Sequence, residues 1–130
     1  MKEALRARLL ADAELAGLVE SRVSWGSRPR TDCLPAVCLH LISGVRQYHL
    51  GGPSGLVQSR VQADCWALTY AAATRVSRAV VADLSGLRDD GMQVQGAFIV
   101  DERDLADEGT AADELLYRVS VDMMIWHGGE

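Results

Sequence analysis

Aromatic side chains are scarce in this chain, at 5% of 130 residues, with a single phenylalanine. Core packing must therefore come from Val, Leu, Ile and Ala, within an apolar content of 48%. That content is high enough to bury a core, and it excludes disorder on composition. Long apolar runs are missing too: none approaches the roughly 20 residues that a membrane-spanning helix needs. Basic charge is short, with 13 Lys and Arg against 18 Asp and Glu. A formal net charge of −5 argues against broad binding to a phosphate backbone, which needs a concentrated basic surface. Arg22, Arg28 and Arg30 come nearest to a basic cluster, and they read as a solvated loop. At the N-terminus, Lys2, Glu3, Arg6 and Arg8 interrupt Leu and Ala in the pattern of an amphipathic helix rather than a signal peptide. With no export signal in view, the expected compartment is the cytoplasm.

The motifs of catalysis and metal binding are also thin. Cys33, Cys38 and Cys65 are odd in number, which does not suit a disulfide framework. Cys33 and Cys38 are too far apart for the C-x-x-C knuckle of a zinc site, so Cys38 and Cys65 read as small buried hydrophobes. His40, His49 and His127 show no H-x-x-x-H or H-E-x-x-H spacing. They read as ordinary surface or partly buried histidines. Gly51-Gly52-Pro53-Ser54-Gly55 lacks the Gly-Lys-Ser/Thr ending of a P-loop and opens a strand, so it reads as a turn. Residues 101–114 hold seven acidic side chains but no EF-hand pattern. Asp101, Glu102, Asp104, Asp107 and Glu108 are expected in a mobile acidic loop. No catalytic residue, cofactor or metal is expected.

What is present is periodicity. Leu5, Leu9, Ala13 and Ala16 recur at helical spacing over residues 3–18, although Asp12 is placed to cap a second helix; one helix and two are both open. A short strand is expected at 22–25 and a loop at 26–35. Residues 36–42 form a strand with Val37, Leu39 and Leu41 on one face, extending through 45–50 past a bulge or bend at Gly44. After the five-residue turn, residues 56–67 alternate strictly. Val57, Ser59, Val61, Ala63, Cys65 and Ala67 face one way, Gln58, Arg60, Gln62 and Asp64 the other. Twelve residues reach about 40 Å, long for a strand, so the hairpin is expected to project. Thr69 caps a helix whose stripe is Ala73, Val76, Val80, Leu84 and Leu87. Strands at 94–100 and 115–126 complete the order. Strands in runs, flanked by helices, predict one α+β domain over residues 1–130: a mainly antiparallel sheet packed on helices, with a projecting β-hairpin. Tyr48, His49, Leu50, Pro53, Leu56, Gln58 and Arg60 lie on that hairpin and are the candidate contacts with a neighbouring subunit or tube.

Several stretches carry a resemblance. They are Leu34-Pro35-Ala36-Val37, then Gly51 to Val57, then Arg60-Val61-Gln62-Ala63-Asp64-Cys65-Trp66-Ala67, and Leu116-Tyr117-Arg118-Val119-Ser120-Val121-Asp122. With the leucines and Asp12 of the N-terminal segment, the chain resembles the tail-completion, or tail-terminator, proteins of long-tailed bacteriophages, in the branch found in gene transfer agents and prophages. The resemblance implies a structural subunit with no enzymatic activity and no cofactor. It implies a homohexameric ring at the head-proximal end of the virion tail, assembled in the bacterial host cytoplasm. Its implied partners are the tail tube protein and the head–tail connector. DNA passes through the ring's lumen without sequence-specific binding, with no membrane contact. Acidic residues facing the lumen would let DNA slide, and Asp101, Glu102, Asp104, Asp107 and Glu108 are the candidates. The rival readings are a neck or head–tail connector protein, a cytoplasmic binding module, or a small enzyme with a histidine brought beside the acidic segment.

Overall fold

The computed structural model describes residues 1–27, 34–88, 94–108 and 115–128. Cys33, Arg28 and Arg30 lie outside the described residues, as do Asp113 and Glu114. Two helices open the chain, α1 (Lys2–Ala11) and α2 (Ala13–Val19). Asp12 divides them: its backbone is extended, and its carboxylate accepts from the Leu15 N–H at 3.1 Å. That cap satisfies a donor that the second helix would otherwise leave bare. The break also turns the apolar face. Leu5 and Leu9 are buried as the periodicity predicts, but beyond Asp12 the buried residues are Leu15 and Val19, and Ala13 is exposed.

Five strands follow in one sheet: β1 (Val23–Trp25), β2 (Ala36–His49), β3 (Gly52–Ala67), β4 (Val94–Glu108) and β5 (Leu115–Gly128), with α3 (Tyr70–Leu84) between β3 and β4. Their order is β1-β2-β3-β5-β4. All pairings are antiparallel except the short parallel one of β1 with β2. The fold is α+β.

Alternation decides what is buried. Val57, Ser59, Val61, Ala63, Cys65 and Ala67 of β3, with Val119, Val121, Met123 and Ile125 of β5, turn to the helices and are buried. Ala73, Val76, Val80 and Leu84 of α3, with Leu87 just beyond its end, are buried on that side. Ser77, outside that stripe by pattern, is buried as well and donates to the Thr74 carbonyl at 2.8 Å. Thr69 caps α3 by accepting from Ala72 N–H at 3.2 Å. Cys38 and Cys65 are buried free thiols on opposite faces of the sheet.

Three expectations are corrected. The hairpin turn is not five residues long: His49 pairs with Gly52, leaving Leu50 and Gly51 as a two-residue turn. A left-handed φ of +126° at Gly52 allows the strand to begin there. Gly44 is neither bulge nor bend; it pairs with Ser59, and the register shifts fall at Ile42 and Gln47 instead. Val37, Leu39 and Leu41 do share one face, opposite Cys65, Ala63 and Val61, although Leu41 is 42% exposed. Residues 101–108 are not a loop but the second half of β4, paired with β5 from Asp101↔Asp122 to Glu108↔Leu115. An edge strand need not bury its charges: Asp101, Glu102 and Asp104 stay exposed while their backbone is paired.

Asp83 ties α3 to α1. It accepts from Arg8 Nε at 3.2 Å, yet its other carboxylate oxygen is buried without a partner. Burial pushes this carboxyl above its ordinary value, Arg8 opposes the shift, and Asp12 adds to it. A raised folded-state pKa means the group's contribution to stability is full below the unfolded value, near 3.8, and declines as pH rises through the folded value. Asp83→Asn is therefore expected to gain stability relative to the parent chain between pH 4 and pH 7. Urea midpoints at the two pH values check the sign.

Candidate assembly surface

The face of the sheet away from the helices is polar at its centre. Asp122 of β5 accepts from Arg60 Nη2 of β3 and Arg103 Nη1 of β4, both at 3.0 Å. The same Arg103 donates to Asp101 at 3.0 Å and to Gln62 at 3.2 Å. Gln62 in turn donates to Asp64 at 2.8 Å, and Ser120 donates to Asp64 at 2.7 Å. His40 and Arg118 stand 3.4 and 3.5 Å from the other Asp64 oxygen, and the Arg118 guanidinium lies over the Trp66 ring at 5.1 Å. Polar contacts thus cross all four long strands. Burial pushes the Asp122 carboxyl up, but hydrogen bonds and charge from Arg103 and Arg60 outweigh it and hold it below its ordinary range. That stabilisation is lost as pH falls through the lowered folded-state value.

Towards the hairpin end the same face becomes apolar. Phe98 and Val45 are exposed there, and Met124 and Trp126 are half-buried. The Phe98 ring lies so close over Gly96 that a Cβ there would approach it to 2.9 Å. On the opposite, helix-facing side of the hairpin is a cleft of about 380 Å³ lined by Lys2, Glu3, Leu41, Arg46, Ser59 and His127 among others. His127 is buried, with Nδ1 2.8 Å from the Gly128 carbonyl and Nε2 2.8 Å from Ser59 Oγ. A carbonyl can only accept, so Nδ1 carries a proton and donates it to Gly128. Among the described residues, no three His, Cys, Asp or Glu side chains are grouped to hold a metal ion.

The sequence-selected hairpin residues separate into two sets. Tyr48 is 66% exposed and Leu50 fully exposed at the turn, where no buried layer holds them. His49 and Pro53 stand at the ends of the paired strands by backbone register. Leu56 and Gln58 are half-buried, and Arg60 is held on the sheet by Asp122 rather than reaching outward. The acidic set is divided by strand alternation. Asp101 shares the face of Asp122, while Glu102 and Asp104 take the register of the helix side; the side chains of Asp107 and Glu108 lie outside the described residues. Asp104 accepts there from the Tyr70 hydroxyl at 2.7 Å. Sequence reasoning missed the arginine–carboxylate network. Its signal was the alternation of Arg60, Gln62 and Asp64 against Arg118, Ser120 and Asp122, two polar rows that meet only once β3 and β5 are known to be neighbours.

The fold and its exposed chemistry define an α+β sheet protein whose reactive surface is a set of strand edges, a hairpin tip and a charged sheet face. No enclosed catalytic centre has emerged from the described residues. The chain belongs to the tail completion protein gp17 family, whose profile matches residues 3–128. It is therefore a structural protein of phage-type tails. A chain in the virion of a native gene transfer agent particle has the same fold, with a TM-score of 0.75 at 21% identity over 99% of this chain and 95% of that one. A search of curated proteins gives no match.

Proposed function

We propose that the protein forms a hexameric ring on the head-proximal end of the tail tube, stops tube growth there and presents a docking surface to the head connector. The carrying observation is a family match over almost the whole chain, joined to a sheet whose two outer edges lie on opposite sides. A subunit with two different sticky sides makes heterologous contacts, which close into rings when the rotation allows. DNA passes through the lumen. The helix-free sheet face suits that passage, because Arg60 and Arg103 are neutralised by Asp122 and Asp101 and offer no bare basic stripe to phosphates.

Native mass spectrometry of the chain alone and with tail tube subunits, combined with gold labelling of assembled tubes, tests this. A six-copy species on one tube end, with tubes of limited length, is expected. A chain that remains monomeric with tubes present, or labels found along the tube, would overturn it.

A further inference from the structure

We infer that neighbouring copies join edge to edge, the outer edge of β2 beyond Leu39 pairing antiparallel with the outer edge of β4 in a second copy. The inference rests on the ring reading and names the surface that closes it.

Both edges are bare among the described residues. β1 covers β2 only from Val37 to Leu39, and no strand flanks β4 on its outer side. Long exposed edges recruit other strands unless proline, charge or very short length protects them. Residues 40–49 contain no proline, and Arg46 is their one Lys, Arg, Asp or Glu. Leu41, Ile42, Val45 and Tyr48 are exposed along that stretch, and Phe98, Val100 and Leu105 are exposed along β4. Edge pairing adds backbone hydrogen bonds and covers alternate side chains of both strands together.

Direction and charge select the pairing. Each of β2, β3, β5 and β4 runs antiparallel to the next, so β2 and β4 run opposite ways. Rotation about an axis along the strands preserves direction, so β2 of one copy meets β4 of the next antiparallel and the alternation continues across the seam. The β4 edge carries Asp101, Glu102, Asp104, Asp107 and Glu108 against a single Arg103. A β4–β4 contact would set these acids against each other, which is destabilising. Arg46 of β2 lies opposite Val57, and Glu102 of β4 opposite Val121, so both take the helix side of the sheet. Across a β2–β4 seam they stand on the same side with opposite sign.

Two folded variants test this. Ile42→Lys with Val45→Lys disables the β2 edge; Val100→Lys with Phe98→Lys disables the β4 edge. Circular dichroism and thermal melts confirm that each retains the fold. Each variant alone with tube subunits is expected to lose at least tenfold of the six-copy species. Their mixture, with one live edge of each kind, is expected to give two-copy species and no ring. Arg46→Glu and Glu102→Arg should each weaken assembly and restore it when combined in one chain. Rings from both edge variants while the parent chain also forms rings would overturn the edge pairing and leave the ring intact. A self-associating β4-disabled variant would point to β2–β2 contact and overturn the pairing too. A parent chain that stays monomeric on tubes would overturn both readings.

Discussion

Asp64→Ala is expected to destabilise the chain by about 3 kcal/mol, within the range for breaking a buried ion pair. Asp64 is 2% exposed and is the common acceptor of Gln62 and Ser120, with Arg118 and His40 at its second oxygen. Removing it leaves the fully buried Ser120 hydroxyl without its acceptor. A buried polar group left in that state costs about 1–3 kcal/mol. The Arg118 side chain is 23% exposed and recovers part of its hydration, which keeps the loss below a simple sum. Asp64→Asn retains an oxygen for Ser120 and should lose roughly half as much. Urea denaturation measures both. An unchanged slope with a lowered midpoint assigns the effect to the folded state. A loss below about 1 kcal/mol for the alanine variant would mean that the network is not a structural element of the sheet.

Leu9→Ala is the second large effect, expected at about 3 kcal/mol within the 2–5 kcal/mol range of buried Leu truncations. Leu9 has no exposed surface and belongs to the cluster that joins α1 and α2 to Val76, Val80 and Leu84 of α3 and to β3 and β5. Its truncation removes transferred apolar surface and leaves a cavity that a helix fixed at both ends cannot close. Leu50→Ala is the control. The residue is fully exposed at the hairpin turn, so its loss should leave the urea midpoint within experimental scatter. Equal effects at the two leucines would show that α1 is not docked on the sheet.

Periodicity in the chain revealed the helical stripe of α3 and the alternating face of β3, because each repeats over many residues and each faces one continuous core. Legibility failed where burial was absent. Residues 101–108 carry the polar composition of a loop, yet an edge strand that faces water on both flanks needs no apolar alternation. The continuation of β2 past residue 42 was legible, but not which of its sides is which: Ser43, Val45 and Arg46 are exposed, and nothing in their pattern marks a buried side. The turn was misjudged because Gly52 and Gly55 belong to a strand that uses left-handed backbone, not to the reversal itself. The ionic network was beyond reach for a different reason. It joins residues 60, 64, 103, 118 and 122, and only the β3–β5–β4 order makes them neighbours.

Strand order also sets a timetable for synthesis. β3 is central, but its partner β5 comes last: Leu56 pairs with Gly128 and Ala67 with Tyr117. The β2–β3 hairpin and α3 are local and can form as soon as they leave the ribosome, whereas one side of β3 has no native partner until residues 115–128 emerge. Non-local pairing of this kind slows folding and leaves a strand side open to other chains. The nascent subunit thus passes through an interval in which its own central strand is a bare edge. Expression at low temperature or slowed synthesis changes the length of that interval, and soluble yield will follow it before any change in the stability of the finished fold is seen.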